Sequence, residues 1–274
     1  MTTAMAGTAP PTAAHPGDTV VPAVVFVHGI GGAARAWTPQ LESFKAAGLH
    51  PLAIDLPGYG GRTLVGQLDF EGLAYDVEAT LAHLGLDRPV LIGHSMGGMV
   101  VQTALRRRPD GYRAAVLCNT SPAFGNQAGD FQKKFVADRL GPLDAGATMT
   151  DLASSMIGGL MGSNADPAGR KLAIEVMAAT PASTYRAAVH CLVTFDERAN
   201  LADIRVPVLC IAGEHDRAAP AAVMERMAAK IPGVRYKCLA GAGHLPNLEA
   251  PAAFDAAVIA FLREALPLAT ARAE

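Results

Sequence analysis

A serine hydroxyl becomes a strong nucleophile when a neighbouring base takes its proton and a carboxylate orients that base. Residues 89–107 read PVLIGHSMGGMVVQTALRR, and within them Gly93-His94-Ser95-Met96-Gly97 is a G-x-S-x-G string. An apolar run precedes it and a helical pattern follows, so the order is strand, tight turn, helix. In that context the string presents its serine at the carboxyl end of a sheet. The turn needs strained dihedrals and a close approach of strand to helix, which leaves room only for minimal flanking side chains. The start of the helix places N–H groups beneath Ser95, where they stabilise developing negative charge. His94 precedes the nucleophile, but adjacent strand residues face opposite ways. It is expected to brace the site, not to act as its base.

Eight histidines compete for the role of base. His244 lies in Gly241-Ala242-Gly243-His244-Leu245-Pro246, past the last apolar strand and before the last helix. Its flanking glycines free it to reach over the sheet. The acid is expected from the loop after VPVLCIAGEHD (206–216), where Glu214 and Asp216 compete. Asp216 is preferred because it is shorter and precedes the Ala218-Ala219-Pro220 helix start. The chain order Ser95, Asp216, His244 is the order of this type of strand-turn-helix hydrolase. Two backbone N–H groups should hold an oxyanion. One is that of Met96, and the other comes from the loop His28-Gly29-Ile30-Gly31-Gly32, with Ile30 the first choice and Gly31 the second. Removing one such donor costs about 3 kcal/mol of barrier. His28 is expected to brace that loop. Gly29, Gly31, Met156 and Leu245 are the expected substrate contacts.

These residues need a scaffold. Short apolar runs at Ala23–Val27, Pro51–Ile54, Pro89–Ile92, Arg113–Leu117, Val206–Ile211 and Val234–Leu239 alternate with helical stretches. Those stretches are Pro39–Ala47, Glu71–Leu84, Met96–Arg107, Ala221–Ala229 and Ala252–Ala265. Strands rich in Val, Ile and Leu without strict alternation suit a parallel sheet covered on both faces. The rhythm fails between Asn119 and Asn200. Helical patterns at Asp130–Arg139, Thr150–Met161, Gly169–Ala179 and Ser183–Leu192 fill that stretch, which is too long for a loop. The expected organisation is a core of residues 21–120 and 200–268, a helical cap of 121–199, and a flexible arm of 1–20. The Met residues of the cap suit either gap-filling or an adaptable pocket wall.

Composition bounds the partners. The chain has 274 residues, a net charge of −2 and 18% charged residues. No basic stripe suggests nucleic acid, and no apolar stretch reaches the roughly 18 residues of a membrane span. No cationic start followed by an apolar run marks a secretory signal. A cytoplasmic protein that meets a small molecule is the default expectation, and its oligomeric state is open. The four cysteines form no C-x-x-C pair and are expected to be reduced core residues.

With these residues assembled, the chain resembles the α/β-hydrolase family from Val24 to about Leu262. The resemblance rests on FVHGIGG (26–32), IDLPGYGGR (54–62), LIGHSMGG (91–98), VPVLCIAGEHDRAAP (206–220) and GAGHLPNLEAP (241–251). It implies an α/β-hydrolase fold with a Ser95–Asp216–His244 triad, an acyl-enzyme, water as second substrate, and no metal or organic cofactor. Members of that family usually begin with an antiparallel hairpin. Here about twenty Ala/Pro-rich residues precede the first strand, so the hairpin is expected to be short or missing. Hydrolases of carbon–carbon bonds commonly carry Trp after the catalytic histidine, where this chain has Leu245. Enol-lactone hydrolases tend to have Arg where it has Pro57. The leading expectation is hydrolysis of a small, fairly apolar ester or lactone. The alternatives are a carbon–carbon hydrolase of a ring-cleavage diketone, a perhydrolase or haloperoxidase-type activity, and a ligand receptor on the same fold.

Overall fold

The computed structural model describes residues 21–125 and 129–266. The arm expected at 1–20 lies outside the described residues, as do 267 and 268 of the expected core. Six strands form one parallel sheet: β1 (Ala23–Val27), β2 (His50–Ile54), β3 (Val90–His94), β4 (Ala114–Cys118), β5 (Val208–Gly213) and β6 (Arg235–Leu239). Their spatial order is β2-β1-β3-β4-β5-β6. All five pairings are parallel.

Parallel strands need crossovers, and helices supply them. These are α1 (Thr38–Ala46), α2 (Phe70–His83), α3 (Met96–Arg107) and α8 (Ala221–Ala228), while a short α9 (Pro246–Glu249) and α10 (Pro251–Ala265) follow the last strand. Because strand side chains alternate, each strand feeds two cores. Val25, Val27, Leu91, Leu117 and Cys210 face α2, α3 and α8 in one core. Val24, Phe26, Ile92, Val116 and Ile211 face α1 and α10 in the other. The central strands β3, β4 and β5 are buried at every residue.

Between β4 and β5 the chain forms α4 (Asp130–Asp144), α5 (Met149–Leu160), α6 (Pro167–Ala178) and α7 (Ala182–Leu192). Thr148 and Asp151 close a reciprocal capping box at the start of α5. Leu152, Ile157, Ala173, Met177 and Val189 build a third core among these helices.

Three expectations change. The strand expected at Val206–Ile211 runs from Val208 to Gly213, because Pro207 has no N–H to give the ladder. The strand expected to end at Ile92 continues through Gly93 and His94, which pair with Leu117 and Cys118. Cys118, Cys191 and Cys210 are buried free thiols, but Cys238 is exposed. Its strand β6 is the sheet edge, and only Leu239 in it is buried.

Strand order decides where the site lies. From β1 the chain turns to β2 on one side and then returns to β3 on the other. The loops after β1 and β3 therefore diverge at their carboxyl ends, and such a switch point leaves a crevice there. Ser95 follows β3, and the loop His28–Gly32 follows β1. Among the described residues no helix is long and apolar enough to cross a membrane, and no group of His, Cys, Asp or Glu is arranged to hold a metal ion.

Candidate active site

Ser95 has φ 53° and ψ −120°, a backbone conformation that a side chain rarely adopts. Such strain costs of order 1–3 kcal/mol and persists only where the surroundings enforce it. The surroundings here are specific. The Ser95 N–H donates to the Cys118 carbonyl at 2.9 Å, which ties the turn to β4. The Ser95 carbonyl accepts from Gly98 N–H at 2.9 Å and from the Thr120 hydroxyl at 2.8 Å. The glycines follow from close approach. A Cβ at Gly93 would lie 2.4 Å from the Gly97 carbonyl oxygen, and one at Gly97 would lie 2.3 Å from the Val27 carbonyl oxygen. Strand, turn and helix can therefore meet only with hydrogen at these positions.

His244 Nε2 lies 3.0 Å from Ser95 Oγ, and its Nδ1 lies 2.8 Å from Asp216 Oδ2. With the carboxylate on Nδ1, that nitrogen carries the proton and Nε2 presents a lone pair to the serine hydroxyl. Asp216 is buried and accepts three further hydrogen bonds. Its Oδ1 takes Ala218 N–H at 2.7 Å and Ala219 N–H at 3.0 Å. Its Oδ2 also takes the Asn119 side-chain amide at 2.7 Å. Burial alone would raise the Asp216 pKa. The charge and hydrogen bond of His244, with the Ala219 and Asn119 donors, outweigh it and hold the carboxyl at about 2. Glu214, the competing acid, is exposed and accepts from Gly241 N–H at 2.8 Å. It braces the loop and does not meet His244.

The loop after β1 crosses the same crevice. Gly32 N–H donates to the Gly29 carbonyl at 3.0 Å, closing a turn with Gly31 at φ +67°. A Cβ at Gly29 would stand 2.9 Å from Ser95 Cβ, so the loop passes directly beside the hydroxyl. Buried His28 holds it: Nδ1–H donates to the Gly29 carbonyl at 2.8 Å, and Nε2 accepts from Leu56 N–H at 3.1 Å. The DLPGYGG loop thus locks the HGIGG loop, helped by Asp55 Oδ1, which takes Ala34 N–H at 2.7 Å. Met96 opens α3, where its N–H has no acceptor within the helix. Its side chain is fully buried beneath the turn.

His94 does not approach the serine as a base. Its Nε2–H donates to the His244 carbonyl at 2.6 Å, and its ring stands 5.0 Å from the His244 ring. Burial first, and then the neighbouring His244 charge, lower its pKa to about 3. It is a neutral strut under the base.

A cavity of about 460 Å³ opens over these groups. Gly29, Ile30, Gly31, Met156 and Leu245 all line it, with Ser95 and His244. Three contributors have no role assigned from the sequence: Asn119 and Arg139 lie outside the quoted motifs, and Glu249 stands within GAGHLPNLEAP (241–251). Asn119, at φ 45° at the end of β4, bridges Asp216 and the Gly243 carbonyl (3.0 Å). Buried Glu249 takes N–H bonds from Gly243 at 2.7 Å, Leu245 at 2.8 Å and Gly162 at 2.6 Å. Arg139 reaches the cavity from α4. An Asn in the left-handed region just past a strand is the one local clue among them. The arrangement can take a proton from Ser95, shuttle it through His244 and hold the resulting charge against Asp216.

The chain matches the model of the Alpha/beta hydrolase family over residues 24–257. It is 32% identical over 259 residues, 91% of this chain, to polyketide synthase ThaQ of Burkholderia thailandensis, of whose length it spans only 12%. It is 29% identical to the karrikin insensitive 2 receptor IA of Petunia hybrida, covering 83% of this chain and 85% of that one. Among solved structures, the enol-lactonase of Burkholderia xenovorans LB400 superposes with a TM-score of 0.80 at 26% identity, over 89% of this chain and 92% of that one. The sheet with its switch point, the strained turn after β3 and the match over residues 24–257 place the chain in the α/β-hydrolase family.

Proposed function

We propose that the chain hydrolyses a small, fairly apolar carboxylic ester or lactone through an acyl-enzyme. The observation that carries this reading is the alignment of Ser95 Oγ, His244 Nε2 and Asp216 Oδ2, at 3.0 and 2.8 Å, in the floor of a largely apolar cavity. His244 takes the hydroxyl proton as Ser95 attacks the carbonyl carbon. The Met96 and Ile30 N–H groups receive the oxyanion. His244 then protonates the leaving alcohol oxygen, leaving an ester on Ser95. It next takes a proton from water as that water attacks the acyl carbon, and returns the proton to Ser95. Asp216 holds the ring and its charged form through both halves.

Helices α4–α7 act in this reading as a cap whose side chains sort acyl groups. The likeness to a solved enol-lactonase supports ester or lactone chemistry. Leu245 in place of Trp speaks against the carbon–carbon hydrolase alternative. The relationship to a plant receptor keeps one rival of another class in view, a ligand-binding protein on the same fold. Hydrolysis of p-nitrophenyl esters of two to eight carbons separates them. Wild type is expected to turn over and Ser95→Ala to lose at least about 10³-fold in kcat/KM. Equal rates in the two, or tight ligand binding without turnover, would overturn the reading.

A further inference from the structure

The cavity wall is apolar with one electrostatic exception. Among the described residues its charged lining side chains are two arginines, Arg139 and Arg217, and no Asp, Glu or Lys lines it. Arg139 is half-buried on α4. Its guanidinium lies 5.1 Å above the Phe135 ring and donates to the thioether of Met156 at 3.5 Å. The Tyr185 hydroxyl, from α7, points to the same sulfur at 3.8 Å. The neighbouring acids of α4 are engaged elsewhere: Asp138 with Lys134 at 2.7 Å and Asp144 with Arg186 at 2.5 Å.

Two strong donors thus converge on a methionine sulfur, a weak acceptor. A carboxylate oxygen would be a far better one. Methionine is flexible enough to give way to it, and an apolar surround strengthens the attraction. Arg139, Met156 and Tyr185 stand on three helices of the 121–199 segment, whereas Ser95, Asp216 and His244 stand on loops of the sheet. A ligand meeting both sets must have two ends.

We infer that Arg139 and Tyr185 form a carboxylate-binding subsite, so that the acyl chain delivered to Ser95, apolar along its length, ends in an anionic group. This rests on the proposed hydrolysis for the meaning of the Ser95 end, but not for binding. Arg217, exposed beside Asp216, adds to the positive potential of the cavity.

Calorimetry on Ser95→Ala tests the subsite without turnover, with hexanoate and hexanol as probes. Hexanoate is expected to bind about 10- to 100-fold tighter than hexanol. That advantage is expected to vanish in Ser95→Ala/Arg139→Met, to shrink in Ser95→Ala/Tyr185→Phe and to survive largely in Ser95→Ala/Arg139→Lys. In wild type, the p-nitrophenyl monoester of adipate should be preferred over p-nitrophenyl hexanoate by a kcat/KM ratio that Arg139→Met removes. No advantage for hexanoate, or one that survives Arg139→Met and Tyr185→Phe alike, overturns the subsite. An Arg139-dependent preference for hexanoate without hydrolysis of any ester upholds the subsite and sinks the hydrolase reading alone.

Discussion

Replacing Glu249 with Gln removes one charge and little else in shape, and the structure sets its cost. Glu249 Oε2 accepts two N–H bonds, from Gly162 at 2.6 Å and Gly243 at 2.7 Å. Its Oε1 accepts one from Leu245 at 2.8 Å. Glutamine keeps one acceptor oxygen, and its NH₂ group must face at least one of these donors. The best orientation puts the carbonyl where Oε2 stood and leaves the half-buried Leu245 N–H without its partner. Hydrogen bonds to a charged acceptor contribute about 1.5–3 kcal/mol each, neutral ones about 1. Weakening two and losing one sums to about 3–5 kcal/mol, and relief from burying a carboxylate offsets part of it. The expected net loss is about 2–3 kcal/mol by urea unfolding. Gly243 and Leu245 flank His244, so the imidazole should shift as well. On a p-nitrophenyl ester, kcat is expected to fall about 10- to 100-fold with KM nearly unchanged. A variant within about 0.5 kcal/mol of wild type and with unchanged kcat refutes the assignment of this clamp to the carboxylate.

Two other perturbations test the remaining parts of the site. Asp216→Asn places an amide against His244 Nδ1 and stabilises the wrong tautomer, so kcat is expected to fall roughly 10³- to 10⁴-fold while circular dichroism stays native; a loss below about tenfold argues against Asp216 as the orienting acid. His94 titrates near 3 when folded and near 6.5 when unfolded. Between those values the unfolded chain binds the extra proton, so stability falls as pH drops, with a His94 share of about 1.4 kcal/mol per pH unit. His94→Gln should flatten urea-unfolding stability over pH 6 to 4 by about that slope, and identical slopes would exclude the strut as a buried neutral imidazole.

Much of the site was legible in the chain because its cues are local. The apolar run, Gly93, Ser95, Gly97 and the helical pattern after them lie within a few residues, and the strand-turn-helix geometry is set by sterics at that scale. The glycine-flanked His244 and the β5 loop carrying Asp216 are local signals of the same kind. What local cues could not decide was which groups meet across long stretches of chain. Asp216 and Glu214 stand two residues apart, and only the path of the loop sends one to His244 and the other to Gly241. Asn119 reaches Asp216 across 97 residues, and Glu249 reaches Gly162 across 87. Those contacts exist because β4 lies beside β5 and because the α5–α6 connection is pressed onto the His244 loop. The same holds for Cys238, whose apolar-looking strand became an exposed edge only when the sheet ended there. By itself, then, the amino-acid sequence determined the strand-turn-helix that presents Ser95, the glycine-flanked loop of His244 and the parallel α/β frame, all products of short-range periodicity and sterics. Tertiary packing alone decided which groups meet Asp216, the clamp around His244 and the convergence of Arg139 and Tyr185 on Met156, since side-chain pairing across distant segments depends on how the helices seat on the sheet.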